Sequence, residues 1–164
     1  MQWGFVPSPD ILYSRSAVLT WQGAHDSPIL LQHMKQQEQV HLDKLNDLVV
    51  NRRVRPSALL PLWHVAGYAL GAGTALLGKE AAMACTVAVE TAIGGHYNNQ
   101  IREVLAKGYD EQELLAIIKQ NRDEEMEHLD TGMEHNAEKA PFYQALSAVV
   151  QAGCKAAVWV TERV

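Results

Sequence analysis

The sequence predicts an all-α protein folded as a helical bundle. Three observations carry that prediction. No proline interrupts the chain from His64 to Ala140, which favours long helices. Apolar residues recur at helical spacing on successive segments. No stretch alternates apolar and polar residues as a half-buried strand would.

The 164 residues are 48% hydrophobic and 20% charged, enough apolar material for one core and too much for a disordered chain. A single domain over residues 1–164 is expected. The net charge of -5 argues against a nucleic-acid partner, which would demand a basic excess. Two cysteines, Cys85 and Cys154, exclude a disulfide scaffold and a four-thiolate zinc site. Both read as reduced core residues. Met1 to Leu19 has neither a basic leader nor a continuous apolar run, and only one arginine, so neither a secretory signal nor a presequence is expected there.

The elements follow in order. Asp26-Ser27-Pro28 places a capping side chain before a proline, a helix start. That helix should run to about Asn51, roughly 36 Å at 1.5 Å per residue. Its apolar face is Leu31, Met34, Leu42, Leu45, Leu48 and Val49. A basic cluster follows (Arg52, Arg53, Arg55), then an uncharged segment from Ser57 to Gly78. The next helix should span about Lys79 to Lys107 and end at Gly108. Another is expected from Asp110 to about His135. The last begins near Pro141, with Leu146, Val149, Val150, Cys154 and Val158 as its apolar positions.

The faces that glutamate and histidine occupy carry the functional signal. Glu38 and His41 stand three residues apart, neighbours on the apolar face of the first of these helices. On the helix after Lys79, a turn of about 100° per residue puts Met83, Thr86, Val87, Ile93, Gly94, Tyr97, Ile101 and Val104 within about 60° of Glu90. Glu90 is the only acid in that stripe, whereas Glu80 and Glu103 point away. On the following helix Glu125 and His128 share a face with Leu114, Ile118 and Leu129, and Glu127 faces the opposite way.

An unpaired buried carboxylate costs several kcal/mol or more, so three of them are sensible only if they converge on cations. Two Glu-x-x-His pairs plus glutamates from other helices form the di-iron or di-manganese pattern of helical bundles. Oxygen and imidazole donors without thiolate suit those metals better than structural zinc. The plainer reading makes the rings satisfied core histidines and the acids partners of Arg102 or Arg122. Two Glu-x-x-His matches alone would not displace it; Glu90, alone in an apolar stripe on a separate helix, tips the balance. Tyr97 lies two turns from Glu90 on the same face; its phenol could reach the site, or it is a core tyrosine with a satisfied hydroxyl. His96 lies off the stripe and on geometry alone reads as structural.

Long runs of residues then point to a family. They are Gln37-Glu38-Gln39-Val40-His41-Leu42, Arg53-Val54-Arg55-Pro56 leading to Leu60-Pro61-Leu62-Trp63, and Ala69-Leu70-Gly71-Ala72-Gly73-Thr74-Ala75-Leu76-Leu77-Gly78-Lys79-Glu80. They continue with Ala84-Cys85-Thr86-Val87-Ala88-Val89-Glu90, His96-Tyr97-Asn98-Asn99-Gln100-Ile101-Arg102 and Arg122-Asp123-Glu124-Glu125-Met126-Glu127-His128. Over roughly residues 11 to 164 the chain resembles the demethoxyubiquinone hydroxylases, di-iron monooxygenases of ubiquinone biosynthesis. The resemblance implies a ferritin-like four-helix bundle and two iron ions on Glu38, His41, Glu90, Glu125 and His128. It places His96 and Tyr97 near the substrate and the path of electrons. It implies O2 and NADH as co-substrates, a polyprenylated quinone as substrate, and a ubiquinone-biosynthesis complex with a lipid-binding accessory protein. The implied location is the matrix side of the mitochondrial inner membrane, peripherally bound.

One departure is visible. The family's first bundle helix carries a further glutamate ligand in an Asp-His-Ala-Gly-Glu motif. Here the likeness starts only near Ile11-Leu12-Tyr13, and Met1 to Asp10 holds no glutamate. The first helix, about residues 1–24, is therefore expected to be truncated or altered. Weaker binding of one iron and reduced or absent activity are the expected consequences.

Ala58 to Leu77 carries no formal charge and by length alone could span a bilayer. A single span would separate Glu38 from Glu90, so the segment is expected to lie in the membrane interface or to pack beside the bundle. Arg52, Arg53, Arg55 and Lys79 flank it and could meet lipid phosphates. Two rival functions remain at this point. One is an iron-storing or peroxide-scavenging bundle. The other is a metal-deficient, catalytically impaired variant acting as a lipid-binding or assembly subunit.

Overall fold

A computed structural model describes residues 27–108 and 110–163, with side chains from residue 30 onward. Five α-helices order the described residues: α1 (Ser27–Asn51), α2 (Leu60–Leu76), α3 (Lys79–Ala106), α4 (Gln112–Glu134) and α5 (Tyr143–Thr161). A 3-10 turn, Ala137–Lys139, joins the last two. No strand occurs among the described residues. The expected boundaries fall within a few residues of these, and the altered first helix lies outside the described residues.

The α3 helix is the centre because its sequence is apolar on nearly every side. From Met83 to Glu90 every residue is buried. Val89, Ile93 and Val104 of α3 meet Leu114 and Ile118 of α4 and Val150 of α5 in one apolar cluster. Met83, Ala84 and Val87 meet Ala137 and Ala140 in a second. Every position assigned to the Glu90 stripe is buried, as the 3.6-residue period requires.

The ends of α3 are set by two glycines. Gly78 takes φ +116° and Gly108 φ +64°, backbone that a side chain would strain. Gly108 thus closes the helix where expected. A third glycine serves close approach: a Cβ on Gly132 of α4 would lie 2.6 Å from Val87 Cγ2 and 3.4 Å from the Met83 carbonyl oxygen of α3. The two central helices approach closely there.

The uncharged segment forms α2, of 17 residues. Among the described residues no helix is long and apolar enough to cross a membrane. Gly71, Thr74 and Ala75 are its buried positions. Trp63 Nε1 donates to Thr161 Oγ1 over 2.9 Å and so ties the start of α2 to the end of α5. Leu62, Val65, Leu76 and Leu77 remain exposed, as do Phe142, Val149 and Trp159. Val149 corrects the expected apolar face of the last helix. Of two adjacent valines only one can face α3, and Val150 does.

Candidate metal centre

Helical geometry brings five ionisable side chains to one place. Glu38 and His41 come from α1, Glu90 from α3, Glu125 and His128 from α4. All five are at most 2% exposed. Oxygens of Glu38, Glu90 and Glu125 and a ring nitrogen of His128 lie within 4.8 Å of one another. His41 joins them through its Nδ1.

The carboxylates are arranged as bridges. Glu38 turns Oε2 to His41 Nδ1 (3.6 Å) and Oε1 to His128 Nδ1 (3.0 Å). Glu125 turns Oε1 to His41 Nδ1 (3.5 Å) and Oε2 to His128 Nδ1 (3.4 Å). Each acid thus offers one oxygen to each ring. None of these four buried oxygens accepts a well-formed hydrogen bond. Buried polar atoms in that state ask for a ligand.

The outer nitrogens of both rings are held. His41 Nε2 donates to Glu124 Oε2 of α4 over 2.6 Å. His128 Nε2 donates to Gln37 Oε1 of α1 over 3.1 Å. Neither acceptor carries a hydrogen, so Nε2 must be the protonated nitrogen on each ring. Nδ1, the inner nitrogen, is then the one left to bind a cation. The donor set (three carboxylates, two imidazoles, no thiolate) fits a pair of hard or borderline cations such as iron or manganese.

Electrostatics agree with that fit. Burial alone would lower the His41 ring, but the carboxylates of Glu125 and Glu38 outweigh it and raise its pKa to about 10. His128 is raised to about 9 in the same way. Burial would raise Glu125, yet His128 and His41 hold it well below the usual carboxylate range. In the metal-free chain protons on the two rings therefore stand in for cations.

Tyr97 is buried beside the cluster, as its place on the Glu90 stripe predicts. Burial and the charge of Glu125, with smaller parts from Glu38 and Glu90, push its hydroxyl pKa far up, so it keeps its proton. His96 stands 6.5 Å from Tyr97 between ring centres, and the charge acting on its ring is that of Glu162 at the end of α5. Burial lowers its pKa, so the ring is neutral. The structure thus gathers Tyr97 with the five and sets His96 beside Tyr97. Glu127 is exposed, as expected.

Three residues were not anticipated. Gln37 and Glu124 each stand four positions before a histidine and bond to the ring on the opposite helix. The signal was present in the repeated pattern of a polar residue ahead of Glu38 and of Glu125. The third is Asn121, fully buried one turn before Glu125. Its amide faces the Tyr97 hydroxyl, and neither amide atom completes a hydrogen bond.

Comparison with known proteins places this geometry. The model of the family described as ubiquinone biosynthesis protein COQ7 matches residues 9–161. The chain belongs to the COQ7 family. It is 60% identical over 135 residues to a rat protein named NADPH-dependent 3-demethoxyubiquinone 3-hydroxylase, mitochondrial. A Rhodospirillum rubrum protein named 3-demethoxyubiquinol 3-hydroxylase is 54% identical over 135 residues. Each match covers 82% of this chain and 62% of the relative, so the chain spans under two thirds of their length. A Saccharomyces cerevisiae COQ7-family relative, named 5-demethoxyubiquinone hydroxylase, mitochondrial, is 43% identical over 159 residues, 90% of this chain and 68% of the relative. An all-helical fold around acids and imidazoles is the ferritin-like bundle that the sequence resemblance implied.

Proposed function

We propose that this chain is a di-iron monooxygenase that hydroxylates the ring of demethoxyubiquinone in ubiquinone biosynthesis. The observation that carries the reading is the pair of carboxylates, Glu38 and Glu125, each presenting one oxygen to both imidazoles. Each ring thus faces one oxygen of both acids, so two adjacent cations, one at each ring, would share the pair. Hydroxylase names borne by the rat, human and R. rubrum relatives support the same reaction. They do not favour the catalytically impaired alternative.

Glu38, His41, Glu90, Glu125 and His128 would hold the iron. Bound there, iron supplies the activation of O2; one oxygen atom enters the ring and the other leaves as water with two electrons from a reduced nicotinamide. The chain's own part is positioning and exclusion of water. Gln37 and Glu124 keep the rings turned inward. The apolar α3 stripe keeps the cluster dry. Tyr97, neutral and buried, can donate a hydrogen bond to an oxygen arriving at the edge of the cluster. His96, neutral and beside Tyr97, completes the side of the site toward the substrate.

The electron source expected from the resemblance is NADH, whereas the rat and human relatives are named for NADPH. Turnover with each nicotinamide in parallel decides between them. Mitochondrial relatives support a mitochondrial location. The finer placement, peripheral on the matrix side of the inner membrane and within a complex that includes a lipid-binding accessory protein, is part of the proposal. The exposed apolar faces of α2 and α5 support it, because a polyprenylated quinone enters from lipid. A single domain over 1–164 belongs to it as well.

The test is iron per chain together with hydroxylation of demethoxyubiquinone by the purified protein. Two irons with turnover support the reading. A chain that takes up no iron and leaves the quinone unchanged refutes it.

A further inference from the structure

Behind the cluster the two imidazoles are supported unequally. His128 rests on a neutral carboxamide, Gln37, at 3.1 Å. His41 rests on a carboxylate, Glu124, at 2.6 Å. Glu124 is itself held. Gln120 Nε2 donates to Glu124 Oε1 over 2.7 Å, and Lys44 Nζ donates to Gln120 Oε1 over 3.0 Å. A continuous polar chain thus runs from Lys44 of α1 through Gln120 and Glu124 of α4 and returns to His41 of α1. Charged hydrogen bonds are shorter and about twice as strong as neutral ones. Glu124 therefore fixes its ring more firmly than Gln37 does, and enriches the electron density at Nδ1.

We propose that Glu124, backed by Gln120 and Lys44, is a positioning residue whose charge holds the His41 ring and strengthens its Nδ1 as a donor to a cation. The inference rests on the metal-centre reading and deepens it. The charge acts one bond further out, through the ring. Gln37 holds the His128 ring without a charge.

Cobalt(II) titration of the full chain tests this, followed by visible absorption and by calorimetry. The native chain should bind two ions in two distinguishable steps. Glu124→Gln keeps an acceptor for Nε2 but removes the charge. It should weaken one step about 10- to 100-fold, the usual range for loss of an outer-shell partner, while the other step and the far-UV circular dichroism stay as they were. Gln120→Leu and Lys44→Met should weaken the same step by a smaller factor. If Glu124→Gln folds poorly, Gln37→Glu tests the idea from the other side: it should strengthen only the step that Glu124→Gln would have spared. Equal weakening of both steps, or no change in either, overturns the inference and leaves the metal centre standing. A native chain that takes up no cobalt overturns both.

Discussion

Within the bundle, Glu38, His41, Glu90, Glu125 and His128 are 0–2% exposed, while on α2, on α5 and at the residue that precedes α5, Leu62, Val65, Leu76, Val149 and Phe142 are 56–86% exposed. In these two places charge is inside and oil is outside, the reverse of the partition in the apolar core around them. The two regions differ in what completes them. The interior is a geometric problem: oxygens and ring nitrogens already sit at 3.0–3.6 Å, and cations would satisfy them. The exterior is an area problem: scattered apolar side chains on two helices, joined by the Trp63–Thr161 bond, would be covered by any low-dielectric surface. Interior chemistry should therefore fail sharply on single changes, and exterior binding should fade gradually.

The sharpest break is Glu125→Ala. It removes one oxygen from each ring at once. Bound iron should fall below one per chain and quinone hydroxylation should be lost, with helicity largely kept. Metal analysis beside circular dichroism checks this, and two tightly held irons in the variant would remove Glu125 from the ligand set. Second in size is the exterior. Val65→Glu combined with Phe142→Glu should weaken sedimentation with anionic phospholipid vesicles about tenfold or more, because each large side chain buried in lipid contributes about 1.5–3 kcal/mol. Iron content should not change.

A pH series sharpens the interior side. The folded pKa values of His41 and His128, about 10 and about 9, lie above the ordinary 6.5. Their stabilisation of the metal-free chain is full below pH 6.5 and is lost as pH climbs through 9 to 10. The melting temperature measured in chelator should fall across that window. The metal-loaded chain should not show the fall, because the rings no longer carry the second proton.

The smallest expected effect is Gly132→Ala. Crowding against Val87 costs about 1–3 kcal/mol, and the better helix propensity of alanine returns about 1. Urea denaturation should show a net loss near 1 kcal/mol, and no loss would mean that the helices part there without cost.

How much of this was legible in the sequence depends on the range of the interaction. Proline and glycine placement located α3 and α4 within a few residues, because those signals are local. The 3.6-residue period put Glu90 on a buried stripe and Glu103 outside it. Both placements hold, since the apolar partners on α3 are strong and continuous. The same period misplaced Val149, because two adjacent valines compete for one face. Gln37 and Glu124 were missed for a different reason. Each sits about 100° from the ligand beside it, off the stripe, and its partner is on another helix. Periodicity along one helix holds no information about which residue faces it across the gap. Asn121 was missed because a buried amide without a partner violates the rule that the pattern assumes.

The tight crossing at Gly132 reaches further than local packing. Gly132 lies seven residues past Glu125, and Met83, whose carbonyl it approaches, lies seven residues before Glu90. On both helices that is two turns, about 10 Å. The crossing therefore acts as the pivot of a calliper whose jaws are two carboxylates. A shim of one methyl group at the pivot would be felt at the jaws, so the spacing of Glu90 and Glu125 depends on a residue that touches neither.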